Sequence, residues 1–191
     1  MHIGVVGATG MVGRKIIEIL QEKHIQFDSL TLFASARSAG QEVIVNGQAY
    51  TIVELNETNI QKAQCDYVLM SAGGEVSKTY APIFVQNHGI VIDNSNAWRR
   101  DENVPLVVPQ VNGELALQNQ GIIANPNCST IQLVTVLNPL IQQLGLERVV
   151  VSTYQSVSGA GQNGLKDLQE SNAGENLKKF IYPIKDNLIP H

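Results

Sequence analysis

An α/β fold built on a doubly wound, mostly parallel sheet is predicted by three features of this 191-residue chain. Short apolar, β-branched runs recur at 3–6, 30–34, 66–70, 89–93 and 121–124. Helix-patterned stretches separate most of them, and small or glycine-rich turns follow the strands. Strands alternating with helices form βαβ crossovers, which make neighbouring strands parallel.

The composition narrows the function classes. The chain is 43% hydrophobic and 16% charged, enough for one full domain and part of a second. The formal net charge is −4, and no basic cluster exceeds Arg99-Arg100 or Lys178-Lys179, so no nucleic-acid partner is expected. No apolar run reaches the ~20 residues of a membrane span. Two cysteines, Cys65 and Cys128, form no disulfide framework, which favours a reducing, cytoplasmic setting. Met1 to Val5 leads straight into a strand pattern, so no signal peptide is expected. No metal site is expected.

The first strand, Ile3 to Val6, runs into Gly7-Ala8-Thr9-Gly10-Met11-Val12-Gly13. A helix pattern follows, with Val12, Ile16, Ile19 and Leu20 on one side and Arg14, Lys15, Glu18 and Glu22 on the other. Strand, glycine turn and helix are the setting of a dinucleotide fingerprint, here spaced Gly-x-x-Gly-x-x-Gly. Gly7 would allow the tight turn, Gly10 the approach of a pyrophosphate, and Gly13 close helix–strand packing. The second strand, Leu30 to Ala34, ends in Ser35-Ala36-Arg37-Ser38. An NAD-selecting acid is absent there, and an arginine beside hydroxyls suits a 2′-phosphate, so NADP is the expected cofactor.

Val43–Val45 and Tyr50–Val53 flank Asn46-Gly47, a hairpin signal. The strand Asp66–Met70 opens into Ser71-Ala72-Gly73-Gly74 and a helix to about Asn87, another turn small enough for a cofactor to approach. Cys65 reads as packing. Gly89–Asp93 leads to Asn94-Ser95-Asn96-Ala97-Trp98-Arg99-Arg100, whose arginines could clamp a phosphate or carboxylate. Leu106–Val108 and Gly121–Ala124 complete the strands, with a short helix from about Val111 to Leu117.

Asn125-Pro126-Asn127-Cys128-Ser129-Thr130 then sets a cysteine at the mouth of an apolar helix pattern, Ile131 to Leu144. Unpaired N–H groups at a helix start favour an anion, which biases such a cysteine towards the nucleophilic thiolate. Taken alone, the residue reads more readily as a small packed thiol, and the other motifs must shift that balance. Beyond it, Arg148 to Val157 is a long β-branched run expected to belong to a separately built sheet. Ser158-Gly159-Ala160-Gly161 and a helix from Gly164 to about Ser171 follow. The apolar tail from Leu177 to His191 lacks clean periodicity and expects a partner surface, as a fragment would. The expected boundary lies between a Rossmann-type domain at 1–127 and the incomplete start of an α+β catalytic and dimerisation domain at 128–191.

Together, Gly-Ala-Thr-Gly-Met-Val-Gly at 7–13, Ser-Ala-Arg-Ser-Ala-Gly at 35–40, Asn-Pro-Asn-Cys-Ser-Thr at 125–130 and Gln-Ser-Val-Ser-Gly-Ala-Gly at 155–161 resemble aspartate-β-semialdehyde dehydrogenase. The resemblance runs from Met1 to His191. It implies NADP-dependent interconversion of L-aspartyl-4-phosphate with L-aspartate-4-semialdehyde and phosphate, on the route to lysine, threonine, methionine and isoleucine. Cys128 matches the thioester-forming cysteine, and Gln155 the glutamine that contacts substrate and orients the reacting group. Arg99 matches the phosphate-binding arginine, with Asn127 as a supporting contact. Thr9, Gly10, Met11, Val12, Gly13, Arg37, Ser38, Ser71, Gly73, Ser158 and Gly159 match cofactor-contacting positions, alongside Gly7 from the turn itself. Homodimers or tetramers are implied for the complete protein.

The resemblance also implies an acid/base histidine in a Gly-His-Ser setting, with an arginine for the substrate carboxylate. His2, His24, His88 and His191 do not match that setting. The 191 residues alone are therefore expected to bind NADP weakly or not at all, and to lack turnover. Three alternatives follow the same residues. N-acetyl-glutamyl-phosphate reductase usually has glycine where Asn127 stands. A sugar-phosphate dehydrogenase of the glyceraldehyde-3-phosphate type usually has Thr-Thr after its cysteine. A non-catalytic NADP-binding module would lack the second half in nature.

Overall fold

The structure is a computed structural model that describes residues 1–170 and 177–190. The expected helix end at Ser171 and the terminal His191 lie outside the described residues. Two compact units are present, 1–148 and 149–191.

The first unit is organised by a six-stranded parallel sheet: β1 (His2–Val6), β2 (Ser29–Ala34), β5 (Val53–Glu54), β6 (Tyr67–Met70), β7 (Ile90–Asp93) and β8 (Ile122–Ala124). Their spatial order is β5-β2-β1-β6-β7-β8. β1 lies in the interior because Ile3, Val5 and Val6 are buried, and a strand covered on both faces needs an apolar run. Alternation along it separates two cores. Ile3 and Val5 pack with Ile17 and Leu20 of helix α1 (Met11–Glu22) and with Leu30 and Leu32. On the opposite face Val6 packs with Phe33, Ile60 of α2 (Glu57–Ala63), Val68, and Ala81 and Phe84 of α3 (Gly74–Gln86). The Phe33 and Phe84 rings meet edge to face, centroids 5.5 Å apart at 78°. Gly4 has no side chain for a physical reason: a Cβ there would lie 2.9 Å from Cys65 Sγ.

β3 (Glu42–Val45) and β4 (Gln48–Thr51) form the expected hairpin. Asn46 and Gly47 both take positive φ, 50° and 79°, as a two-residue turn of this hand requires. The second run ends earlier than expected: Val53 leaves the hairpin to pair with Phe33 at the edge of the main sheet.

Two further expectations are corrected. Leu106–Val108 forms no strand, only a bridge from Leu106 to Ala124. Pro105 and Pro109 bracket it and leave too little backbone for a ladder. The following helix is α4 (Pro109–Asn112), continued as a 3₁₀ turn over Gly113–Gln118. Residues 149–156 also adopt no strand, and Val150 is 80% exposed. β-branched composition favours a pleated surface, but a strand needs a paired neighbour, and none of the described residues provides one.

Helix α5 (Cys128–Leu144) starts at the cysteine, three residues ahead of the apolar pattern. In the second unit a 3₁₀ turn (Val157–Ala160) leads into α6 (Gly161–Glu170). There the buried Asp167 carboxylate accepts the N–H groups of Lys178, Lys179 and Phe180 at 2.8–2.9 Å. Burial pushes its pKa up, but these three bonds outweigh that and hold it below the ordinary value.

Phe33→Ala should destabilise the first unit by about 3–5 kcal/mol, as for a large buried aromatic. Ile44→Ala, at a residue 62% exposed on the hairpin, should stay within about 0.5 kcal/mol. Urea unfolding followed by circular dichroism checks both.

Candidate active site

Because all six strands run parallel, their C-terminal ends share one edge of the sheet. Chain direction across the sheet reverses between β1 and β6, and ligands bind such sheets at the crevice this creates. The turn after β1 is built for close approach. Gly7 takes φ 83°, and a Cβ on it would lie 2.3 Å from the Ser71 carbonyl oxygen after β6. A Cβ on Gly13 would lie 2.1 Å from the Gly7 oxygen, so helix α1 can sit against the turn only with glycine there. Gly10 caps α1 without a side-chain hydrogen bond, and no acidic residue occupies the first turn. The N–H groups there, beside Thr9, Met11 and Val12, are open to an anionic ligand.

On one flank, β2 ends in a 3₁₀ turn over Ala36–Ser38, with Arg37 exposed and Ser38 half-buried. On the other, Ser71 donates its N–H to the Val6 oxygen at 2.9 Å, and Gly73 caps α3 at φ 90°. These fit a dinucleotide: a glycine cradle that a Cβ would fill, uncapped helix starts, and a cation one strand away.

The same edge continues to the exposed Cys128. β7 ends at the buried Asp93, whose Oδ2 accepts from Ser95 N (3.2 Å) and Ser95 Oγ (2.5 Å), turning the chain sharply. Trp98 Nε1 donates to the buried Ser77 Oγ at 2.8 Å and pins that turn to α3. Arg99 then reaches back: Nε donates to Asn125 O (2.9 Å), and Nη2 to Asn94 O (3.1 Å) and Pro126 O (3.3 Å). Its Nη1 bonds to no acceptor among the described residues, and a cavity of about 540 Å³ is lined by Asn96, Ala97, Arg99 and Arg100.

Asn127 is the N-cap of α5, with its side chain accepting from Ser129 N at 3.0 Å. This cap explains why the helix begins at Cys128, which is exposed. From β2 to β8 there are four inter-strand steps of about 4.8 Å, so the ends of these two strands lie roughly 19 Å apart along the edge.

The two cysteines differ completely. Cys65 is 4% exposed, and burial, helped by the nearby Asp66 charge, pushes its thiol up to about 12. The described histidines lie elsewhere. His2 is at the start of β1, with Nε2 2.8 Å from Thr31 Oγ1 and its pKa lowered by burial. His24 and His88 follow the ends of α1 and α3 with φ 51° and 66°. All three are at the far edge of the sheet. Gln155, Ser158 and Gly159 belong to the second compact unit. Asn94 and Asn96 at the strand exit were not picked out from sequence. Two asparagines just past a buried strand end were the available signal.

Residues 2–119, more than half of the chain, match the family described as semialdehyde dehydrogenase, NAD binding domain. The chain belongs to the semialdehyde dehydrogenase family. Residues 137–191 match that family's dimerisation domain. Among curated relatives, the aspartate-semialdehyde dehydrogenase of Aquifex aeolicus is 46% identical, covering 100% of this chain and 58% of its own length. That of Bacillus subtilis is 45% identical over 97% of this chain and 54% of its own. The chain thus spans a little over half the length of these relatives. Among solved structures, aspartate semialdehyde dehydrogenase II of Vibrio cholerae, complexed with ASA, superposes with a TM-score of 0.91 at 40% identity, over 100% of this chain and 58% of that one. The Candida albicans enzyme with NADP gives 0.65 at 31% identity, over 76% of this chain and 48% of its own.

At neutral pH iodoacetamide should alkylate Cys128 and leave Cys65 unmodified in the folded protein. Peptide mapping by mass spectrometry checks this. Equal labelling of the two would show that the cores around Cys65 are not formed.

Proposed function

We propose that the full-length protein carrying this chain is an NADP-dependent aspartate-semialdehyde dehydrogenase. It would interconvert L-aspartate-4-semialdehyde plus phosphate with L-aspartyl-4-phosphate through a thioester on Cys128. One observation carries the reading: an exposed cysteine at the first turn of a capped 17-residue helix, on the sheet edge that holds the glycine cradle. The Vibrio cholerae neighbour solved with ASA and the Candida albicans neighbour solved with NADP support the substrate and the cofactor.

When bound, NADP supplies the hydride acceptor at its nicotinamide. The Gly7–Gly13 turn would hold the pyrophosphate on the open N–H groups of α1, with Ser71 and Gly73 walling the cleft. Arg37, with Ser38 beside it, would pair with the 2′-phosphate. Cys128 sulfur, as thiolate, forms a bond to the aldehyde carbon while the carbonyl electron pair moves to oxygen. The unpaired N–H groups in the first turn of α5 stabilise that oxygen. The electron pair on that oxygen then re-forms the carbonyl as hydride leaves carbon for the bound acceptor, which gives the acyl thioester. A phosphate oxygen then attacks the acyl carbon and the sulfur departs as thiolate. Two easier steps replace one harder one.

Arg99 would present Nη1 to phosphate while its other nitrogens keep the cysteine loop in place, with Asn127 and Gln155 as supporting contacts to substrate. Ser158 and Gly159 would complete the cofactor contacts. His2, His24 and His88 lie at the far edge, which supports an acid/base group supplied by the rest of the full-length protein. We further propose a catalytic and dimerisation domain beginning at the head of α5, assembly as a homodimer or tetramer, and a cytoplasmic role in amino-acid biosynthesis.

The test is NADPH formation from L-aspartate-4-semialdehyde, phosphate and NADP. The full-length protein should turn over. Cys128→Ala should lose at least about 10⁴-fold in kcat, because the covalent route is removed. The 191-residue chain alone should be inert, and turnover by it near the full-length rate would overturn the assignment of the acid/base group. Arg37→Ala should raise KM for NADP about tenfold or more and leave KM for NAD little changed, the loss expected for one charge-assisted phosphate contact. An unchanged NADP-to-NAD ratio would refute the cofactor reading.

A further inference from the structure

We propose that a side-chain clasp between Asn94 and Asn125 positions the nucleophile, so that both asparagines are positioning residues for chemistry at Cys128. The inference rests on the thioester reading above.

β7 and β8 are paired in register as far as Asp93 and Ala124. Each chain then runs one residue past the ladder, which brings Asn94 and Asn125 side by side although 31 positions separate them in sequence. Asn125 Nδ2 donates to Asn94 Oδ1 at 2.5 Å, and Asn125 N donates to Asp93 O at 2.8 Å. Asn94 is itself anchored inward, its N–H donating to Met70 O at 2.9 Å, the last residue of β6. The clasp therefore ties the residues leading to Cys128 to the strand beside β1, whose exit carries the glycine cradle.

The surrounding contacts leave this side-chain pair a specific task. Arg99 holds the Asn125 and Pro126 carbonyls and the Asn94 carbonyl, which are backbone groups. Pro126 is buried and stiffens the step to the N-cap at Asn127. Among the described residues, Asn94 is the one on the β7 side that grips the Asn125 side chain. Only Pro126 and Asn127 separate Asn125 from Cys128, so a shift at 125 is transmitted to the sulfur. A half-buried strand end does not need asparagine for stability. A displacement of about 1 Å at a reacting atom, by contrast, costs on the order of 100-fold in rate.

The experiment uses the full-length protein with Asn94→Ala, Asn125→Ala and the double variant. Each is measured for kcat, for KM of semialdehyde and NADP, and for alkylation of Cys128 and Cys65 by iodoacetamide. Each single substitution should lower kcat about 10- to 100-fold, with KM for NADP within about twofold of wild type. The double variant should be no slower than the slower single, because one shared bond has been lost. Cys65 should stay unlabelled throughout, reporting an intact core. Wild-type kcat in both singles, multiplying losses in the double, or labelling of Cys65 in the singles would each overturn the proposal. If the wild-type protein fails to turn over the semialdehyde, the thioester reading falls separately. The clasp is then judged by Cys128 alkylation, whose rate must change by the same factor in both singles and the double.

Discussion

Parallel pairing is the constraint on which the rest of this structure depends. Six strands running the same way deliver every turn to one edge, and each return passes through a crossover on a face of the sheet. β1 can lie inside only because both of its faces are apolar. Its central place sets the Gly7–Gly13 turn directly against Ser71, where any side chain on Gly7 would collide with backbone. The crevice is thus a consequence of packing before it is a site.

The same constraint assigns opposite fates to two chemically identical thiols. Cys65 precedes β6 at the closed edge, covered by Gly4 and Phe84-side packing, and burial raises its pKa to about 12. Cys128 follows β8 at the open edge and begins a helix whose cap is the residue before it. Arg99 shows how one side chain can brace two neighbouring strand exits. Its Nε and Nη2 secure three backbone carbonyls around the cysteine loop, those of Asn125, Asn94 and Pro126. Replacing it by lysine would keep the charge and lose the fork that holds all three carbonyls.

The second unit illustrates the limit of local preference. Residues 149–156 are β-branched and still form no strand, because propensity of this kind reflects packing against neighbours. Where a partner is present within the unit, order follows: Asp167 gathers three successive N–H groups from 178–180 onto the end of α6. Leu106–Val108 fails as a strand for a different reason, the prolines on either side of it.

The sequence by itself determined what depends on neighbours along the chain. The strand–glycine–helix opening, the Asn46-Gly47 hairpin, the cysteine at a helix start and the motif series at 7–13, 35–40, 125–130 and 155–161 were all legible there, and so were the fold class and the family. Tertiary structure alone decided the strand order, the exit of Val53 from the hairpin, and the loss of strands at 106–108 and 149–156. It also decided that Arg99 braces the cysteine loop and that Asn94 meets Asn125. The physical reason is that side-chain period and turn chemistry act over a few residues. Contacts 26 to 31 positions apart exist only once parallel ladders have set two strand ends side by side.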